Sequence, residues 1–276
     1  NGQAAFTDLA YTATADQETF QLQADDETSG SGGDLAQQAS IVHTADIVAT
    51  HLVFTTPPTD PAAANGDVVS GQPFATQPVL EARNAAGQRD LNFAGTATLA
   101  LPVGNPTLSG TVSEAWVSGR ADFAGNGLRV TATADATTFA LQAASGNLSG
   151  QSATLTADAL ATQIAFTTLP ADGSAANGDI VSGQPFPTQP IVEARDDNAV
   201  ADIHYQGNAV VIAVQSGDVT LSGTTAQSWS HGRATFTDLA IASTSDGATF
   251  VLRADNSSLP QTTTSTLQSD VVASQL

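Results

Sequence analysis

The chain contains no cysteine, no methionine and no lysine in 276 residues. Without cysteine there is neither a disulfide framework nor a thiolate metal site, so packing, hydrogen bonds and any bound ions must hold the fold. Without lysine, the Lys–Asn isopeptide cross-links that brace some bacterial surface stalks cannot form. The basic residues are seven arginines against 27 acidic residues, a formal net charge of −20. Phosphate neutralisation needs a basic patch, so nucleic acid is disfavoured as a partner, and an anionic membrane surface with it. No apolar run approaches the roughly 18 residues that span a bilayer, which argues against membrane insertion. The acidity suits extracellular or saline surroundings, cation binding or colloidal repulsion between chains. Aromatic residues make up only 5%, which leaves Val, Leu, Ile, Ala and Phe to build a core. The abundance of Thr, Ser, Val and Gly favours strands and turns. No segment shows the 3.6-residue apolar period of a helix.

What the chain does have is repetition. ANGDVVSGQPFATQPVLEAR at 64–83 returns as ANGDIVSGQPFPTQPIVEAR at 176–195, with 16 of 20 residues identical after 112 positions. HLVFTT at 51–56 returns as QIAFTT, TLSG at 107–110 returns at 220–223, and Trp116 corresponds to Trp229. GRADF at 119–123 returns as GRATF, and TTFALQA at 137–143 as ATFVLRA. The N-terminal segment carries a further partial copy in GQAAF and ETFQLQA, and DVVASQL at 270–276 matches DALATQI at 158–164. The layout expected is the end of one unit over 1–45, complete units over 46–157 and 158–269, and the first strand of another over 270–276. The chain then reads as a window on a longer tandem array.

Units of about 110 residues with short strands every 8–12 residues predict all-β sandwiches. The order AFTT, GQPF, QPVLEAR, GTATLAL, TLSGT, GRADF, TFALQA resembles the bacterial immunoglobulin-like (Big-type) repeats of large cell-surface and adhesin proteins. Both full units match nearly throughout, and the partial copy matches in GQAAFTDL and FQLQAD. The resemblance implies tandem immunoglobulin-like sandwiches arranged end to end, acting as extenders, adhesin stalks or filament components. The second unit departs at ARDDNAVAD, where Ala199 stands in place of Gly87, which leaves the turn type there open.

Chemistry is sparse. ANGDVVSGQPF lacks the Lys and following helix of a phosphate-binding loop and reads instead as turns, with Asn65-Gly66-Asp67 and Ser70-Gly71 placed where positive φ is needed. The histidines His43, His51, His204 and His231 do not recur between copies: His51 aligns with Gln163, His204 with Asn92 and His231 with Ser118. None has metal-pair spacing. No G-x-S-x-G elbow is present, and Asp196-Asp197 falls in a turn expected to be solvated, so no enzyme activity is expected. Calcium is the competing site reading, since it takes six to eight oxygens from loop carboxylates and carbonyls. The candidate metal residues are Asp46, Asp158 and Asp270 at the unit boundaries, with turn residues Asp67 and Asp179 and hairpin residues Asp16, Asp135 and Asp246 in support. Against it, each boundary offers one Asp and no DxD cluster. Trp116 and Trp229 suit a core position better than a sugar platform, and Asn147 and Asn256 lie in weak glycosylation sequons.

The expectation is an extracellular structural segment, a stalk or filament subunit at the cell surface, with no cofactor unless calcium. Its partners would be neighbouring repeats of the same protein, or other copies through lateral or strand-sharing contacts. The alternative is an adhesive module that recognises carbohydrate or a partner protein through the repeat surfaces.

Overall fold

The computed structural model describes residues 3–26, 35–101 and 106–272, whose regular elements are β-strands joined by turns and loops, with no helix among the described residues. In the first complete unit Val79–Arg83 lies between His51–Thr56 and Arg120–Asp122 in an antiparallel sheet. The facing sheet runs Ser113–Ala115, Thr96–Ala100, Gln142–Ser145, Leu148–Gln151. Thr96–Ala100 alternates strictly, with Ala97 and Leu99 inward and its threonines outward, the period of a half-buried strand. Leu80, Leu99, Phe123, Leu128 and Leu141 fill the space between the sheets. The second unit repeats the plan: Gln163–Thr168, Ile191–Arg195 and Arg233–Thr235 form one sheet, and Val210–Ser216 pairs with Thr249–Asp255 in the other. In each unit the last strand pairs in parallel with an early one, Leu155–Asp158 with Val68–Val69 and Leu267–Asp270 with Ile180–Val181. These are immunoglobulin-like β-sandwiches with separate cores.

The repeated string is the device that makes this parallel closure. Asp67 N–H donates to Thr156 O (2.8 Å) while its Oδ2 accepts from Thr156 N (2.7 Å), so one residue pairs with the closing strand twice. Asp179 does the same with Gln268 (2.8 and 2.9 Å). Gly66 and Gly178 are needed for close approach and not for positive φ: a Cβ would lie 2.9 Å from Thr156 O and 2.8 Å from Gln268 O. The positive φ expected of this stretch belongs to Gly71 (79°) and Gly183 (80°). Further along, Gln77 donates to Phe74 O and Leu128 O and accepts from Leu128 N, and Gln189 repeats the set with Phe186 and Leu239.

Two other turns recur in both units, and one of them is the turn that the sequence left open. Ser118-Gly119 (φ 48° and 69°) and His231-Gly232 (φ 50° and 68°) have positive φ at both central residues, the type I′ geometry that suits a two-residue hairpin. A Cβ on Gly119 or Gly232 would fall 1.9 or 2.0 Å from the carbonyl oxygen of Asp90 or Asp202, so no side chain fits. Ala199 keeps the left-handed conformation of Gly87 (62° against 81°). Its turn is preserved because Asp196 Oδ1 accepts from Asn198 N and Val200 N (2.9 and 2.8 Å), as Asn84 Oδ1 does from Ala86 and Gln88. Asp196 is therefore 3% exposed and not the solvated turn carboxylate expected.

The partial copy pairs with itself, Thr19–Phe20 with His43–Thr44 and Gln23–Ala24 with Gln38–Ala39. Its Phe6, Leu9 and Leu22 are exposed, where the matching Phe123, Leu239 and Leu141 of the complete units are buried. Part of the looser stretch at 27–40 lies outside the described residues. The boundary aspartates also sit differently from expectation. Asp158 and Asp270 end the closing strands Leu155–Asp158 and Leu267–Asp270, and the next unit's first strand begins only at Gln163. Val271 and Val272 belong to no strand, and the rest of the strand expected at 270–276 lies outside the described residues.

Candidate functional site

For a repeat protein the places that decide behaviour are the joints between units. Each unit carries a hairpin aspartate followed by a left-handed residue: Asp16-Gln17 (φ 60°), Asp135-Ala136 (φ 56°) and Asp246-Gly247 (φ 69°). The carboxylate of each reaches the first residue after its boundary aspartate, accepting from Ile47 N (2.7 Å), Ala159 N (2.7 Å) and Val271 N (3.0 Å). In the first two, the other oxygen crosses into the following sandwich. Asp16 Oδ2 accepts from Leu91 N (2.6 Å) and Asp135 Oδ2 from Ile203 N (3.0 Å). Leu91 and Ile203 occupy the same position in their units. One ionised side chain per joint thus clamps both the linker and the body of the next unit, through charge-assisted bonds that are shorter and stronger than neutral ones.

The receiving unit holds the same linker from its own side. Asp90 Oδ2 accepts from Ala49 N (2.9 Å) and Asp202 Oδ2 from Ala161 N (3.1 Å). Their Oδ1 atoms accept from Asn92 N and His204 N, both at 3.0 Å. The linkers therefore run between two buried carboxylates and contain no Gly/Ser run to loosen them. Around the second joint, Ser70, Gln72, Leu160, Thr162, Asp197 and Asn198 line a cleft of about 300 Å³. Thr162 Oγ1 donates to Asp197 Oδ1 (2.6 Å), and Asn198 Nδ2 lies 2.6 Å from the place a Cβ on Gly71 would take.

The two joints differ electrostatically. Burial pushes the Asp16 carboxyl up, but the N–H groups of Ile47 and Leu91 outweigh it and hold it below the ordinary value. Burial dominates at Asp158 and at Asp202, and both are held above the ordinary value. At the second joint His204 replaces Asn92, and its Nδ1 lies 3.1 Å from Asp135 Oδ2. An ionised carboxylate only accepts, so Nδ1 carries the hydrogen. The Asp135 side chain is 0% and that of His204 39% exposed. Asp158, 1% exposed, accepts from Asn65 N through Oδ2 (3.3 Å), while its buried Oδ1 has no hydrogen-bond partner. One ligand atom from each of Asp135, Asp158 and His204 lies within 4.8 Å of the others. At the first joint Asn92 instead accepts from Gln17 Nε2 (2.8 Å) and donates to the exposed Asp46 (3.3 Å).

No protein-family model matches the chain, and no curated protein does. Among solved structures, a glycosyl hydrolase family 2 member from Bacteroides cellulosilyticus is 16% identical, with 79% of this chain and 28% of that one covered and a TM-score of 0.32. A β-glucuronidase from Parabacteroides merdae is 12% identical over 79% of this chain and 24% of that one, with a TM-score of 0.29. Domains 5–6 of the S-layer protein SbsC are 15% identical, with 83% of this chain and 100% of that one covered and a TM-score of 0.27. The chain spans about a quarter of the length of the glycosidases it matches. These likenesses extend to the all-β architecture and no further.

The boundary aspartates do not form equivalent sites. Asp46 is exposed, Asp270 is buried with its Oδ2 accepting from Ala176 N (2.7 Å) and Asn177 N (3.4 Å), and only Asp158 meets other ligand-type side chains among the described residues. Asp67 and Asp179 are spent on strand pairing, and the hairpin aspartates on the clamps. His204, set aside in the sequence because it does not recur, is the residue the sequence reading missed. Its signal was that it is copy-specific at a joint. Trp116 and Trp229 are core residues, their indole N–H groups donating to Ser145 Oγ (2.9 Å) and Asn208 O (2.8 Å). Asn256 is buried and donates to the Tyr205 hydroxyl (2.8 Å), so its sequon is closed, whereas Asn147 is exposed in a hairpin turn.

Proposed function

We propose that this chain is a structural spacer segment, a stalk element, of a large bacterial surface protein of the Big-type repeat kind, extracellular and without a catalytic role. The observation that carries this reading is the recurrence of the hairpin-aspartate clamp at successive joints. A joint held by a buried carboxylate on each side transmits orientation from one sandwich to the next, which is what a projecting stalk requires. Trp116 and Trp229 lie in the cores, so an aromatic platform for sugar, as the adhesive alternative would use, is not built from them.

The test is small-angle scattering on the whole chain. Strands of five to seven residues span about 17–24 Å, and the loops and turns at both ends extend each sandwich to roughly 35–45 Å, so end-to-end units predict a maximum dimension of about 80–100 Å with the profile of a stiff rod. A compact particle with the sandwiches side by side would overturn the reading. So would a dimension that grows with protein concentration, because assembly and not projection would then be the built-in property.

A further inference from the structure

The second joint holds more than a spacer needs. We propose that Asp135, Asp158 and His204 form a binding site for one divalent ion of the zinc type, set between the two sandwiches. Four observations meet there. First, the three residues bring one ligand atom each to within 4.8 Å of the others. Second, Asp158 Oδ1 is buried with no hydrogen-bond partner among the described residues, and a buried carboxylate oxygen left so is costly unless a cation or a proton meets it. Third, His204 Nδ1 and Asp135 Oδ2 are 3.1 Å apart. Two ligands at 2.0–2.1 Å on a tetrahedral ion stand about 3.3 Å apart, so the pair already has the spacing of two ligands, and a turn of the partly exposed ring aims Nδ1 at an ion beside the line between them. Fourth, Asp202, 5% exposed, adds a further negative charge beside Asp135 and Asp158.

The donor set selects the metal. One imidazole nitrogen with two carboxylates suits zinc and its neighbours, whereas calcium wants six to eight oxygens and gains nothing from the ring. Three protein ligands leave a fourth position for water. Binding replaces the Nδ1 hydrogen with the ion and leaves the ring as its Nε2–H tautomer. The partly exposed ring supplies the entry path, while the two carboxylates lie in the joint. The first joint cannot copy this, since Asn92 stands where His204 does and Asp46 is exposed. The ion would therefore stiffen one joint selectively, a property beyond the spacer reading itself.

The experiment is calorimetric titration of the whole chain, stripped of metal by chelator, with zinc chloride and separately with calcium chloride. The expected result is one zinc ion per chain, with affinity reduced at least about tenfold in His204→Asn. His231→Ser, which alters an exposed histidine outside the three-ligand set, its ring placed against Ser230 Oγ, should bind as the parent does. Asn is the residue the first joint already uses, so His204→Asn keeps the fold, which circular dichroism checks. Cobalt in place of zinc should show the intense visible bands of a tetrahedral site in the parent and lose them in His204→Asn. Equal zinc affinity in His204→Asn overturns the proposal, as does the absence of zinc binding up to millimolar. Calcium binding that His204→Asn leaves intact and zinc displaces also overturns it, because the site would then be an oxygen cage. Scattering tests the spacer reading independently, so failure of one leaves the other standing.

Discussion

Replacing Asp135 with alanine should uncouple the two complete sandwiches without unfolding either. The carboxylate accepts from Ala136 N (2.8 Å), Ala159 N (2.7 Å) and Ile203 N (3.0 Å), and from the His204 ring (3.1 Å). Its side chain is fully buried, so these bonds are not exchanged freely for water. A hydrogen bond to a charged group contributes about 1.5–3 kcal/mol, and a buried N–H left without its acceptor costs about 1–3 kcal/mol. Ala159 and Ile203 are the main-chain donors through which Asp135 ties the second sandwich to the first, so the joint should lose about 3–5 kcal/mol, less than the simple sum because the bonds share one side chain. The core residues of both units lie in separate clusters and do not include Asp135. Amide hydrogen exchange in chelator-containing buffer reads this directly. Ala159 and Ile203 should exchange at least about 30-fold faster, the equivalent of 2 kcal/mol. Leu80 and Val192, deep in the two sheets, should keep their protection. Asp16→Ala should produce the same change at Ile47 and Leu91 and none at the second joint. Unchanged exchange at both Ala159 and Ile203 would refute the clamp, and with it the geometric basis for a stiff array.

Ala199→Gly should raise the stability of the second sandwich by about 0.5–1 kcal/mol, because a left-handed alanine is strained where glycine is not; a lower melting temperature would show that the Asx turn, not φ, sets the cost. Gly119→Ala should destabilise the first sandwich by about 3 kcal/mol or more, since the new Cβ meets the Asp90 carbonyl in a turn with positive φ; urea titration measures it. Burial pushes the Glu193 carboxyl up, yet Arg195 and Arg233 hold it below its ordinary 4.5. Its contribution is therefore present above 4.5 and lost as pH falls through the folded value, and in Glu193→Gln that part of the acid transition should vanish. Asp158 and Asp202 run the other way. Between the ordinary 3.8 and their raised folded values the folded chain holds more protons, so in metal-free buffer stability should fall as pH rises through that window.

The repeat length, the all-β class and the alternating strands were legible because each rests on a local or self-comparing signal. Ala97 and Leu99 in Thr96–Ala100 point inward as period two requires, and the copies fix each other's register. The joints were not legible for a physical reason. Asp16 and Asp135 bind main-chain N–H groups of Leu91 and Ile203, and a main-chain donor leaves no mark in a sequence. The partners are also about 70 residues apart, |i−j| being 75 and 68. The same limit hid Asp196, which looks like any turn carboxylate until its two N–H donors draw it inside. Gly66 shows a third kind of misreading: glycine was expected for its freedom and is required for its lack of a side chain.

The clamp also bears on how such an array can change over generations. Its active half is a single aspartate on one end of a unit, and its passive half is backbone on the opposite end of the next. Copies can therefore be duplicated, deleted or reordered by recombination, and their surfaces can diverge freely, while every new neighbour still mates. The mating has a direction, because the aspartate end has nothing to offer another aspartate end. A gene built from such units can lengthen or shorten its product by whole copies while the aspartate clamp itself stays the same.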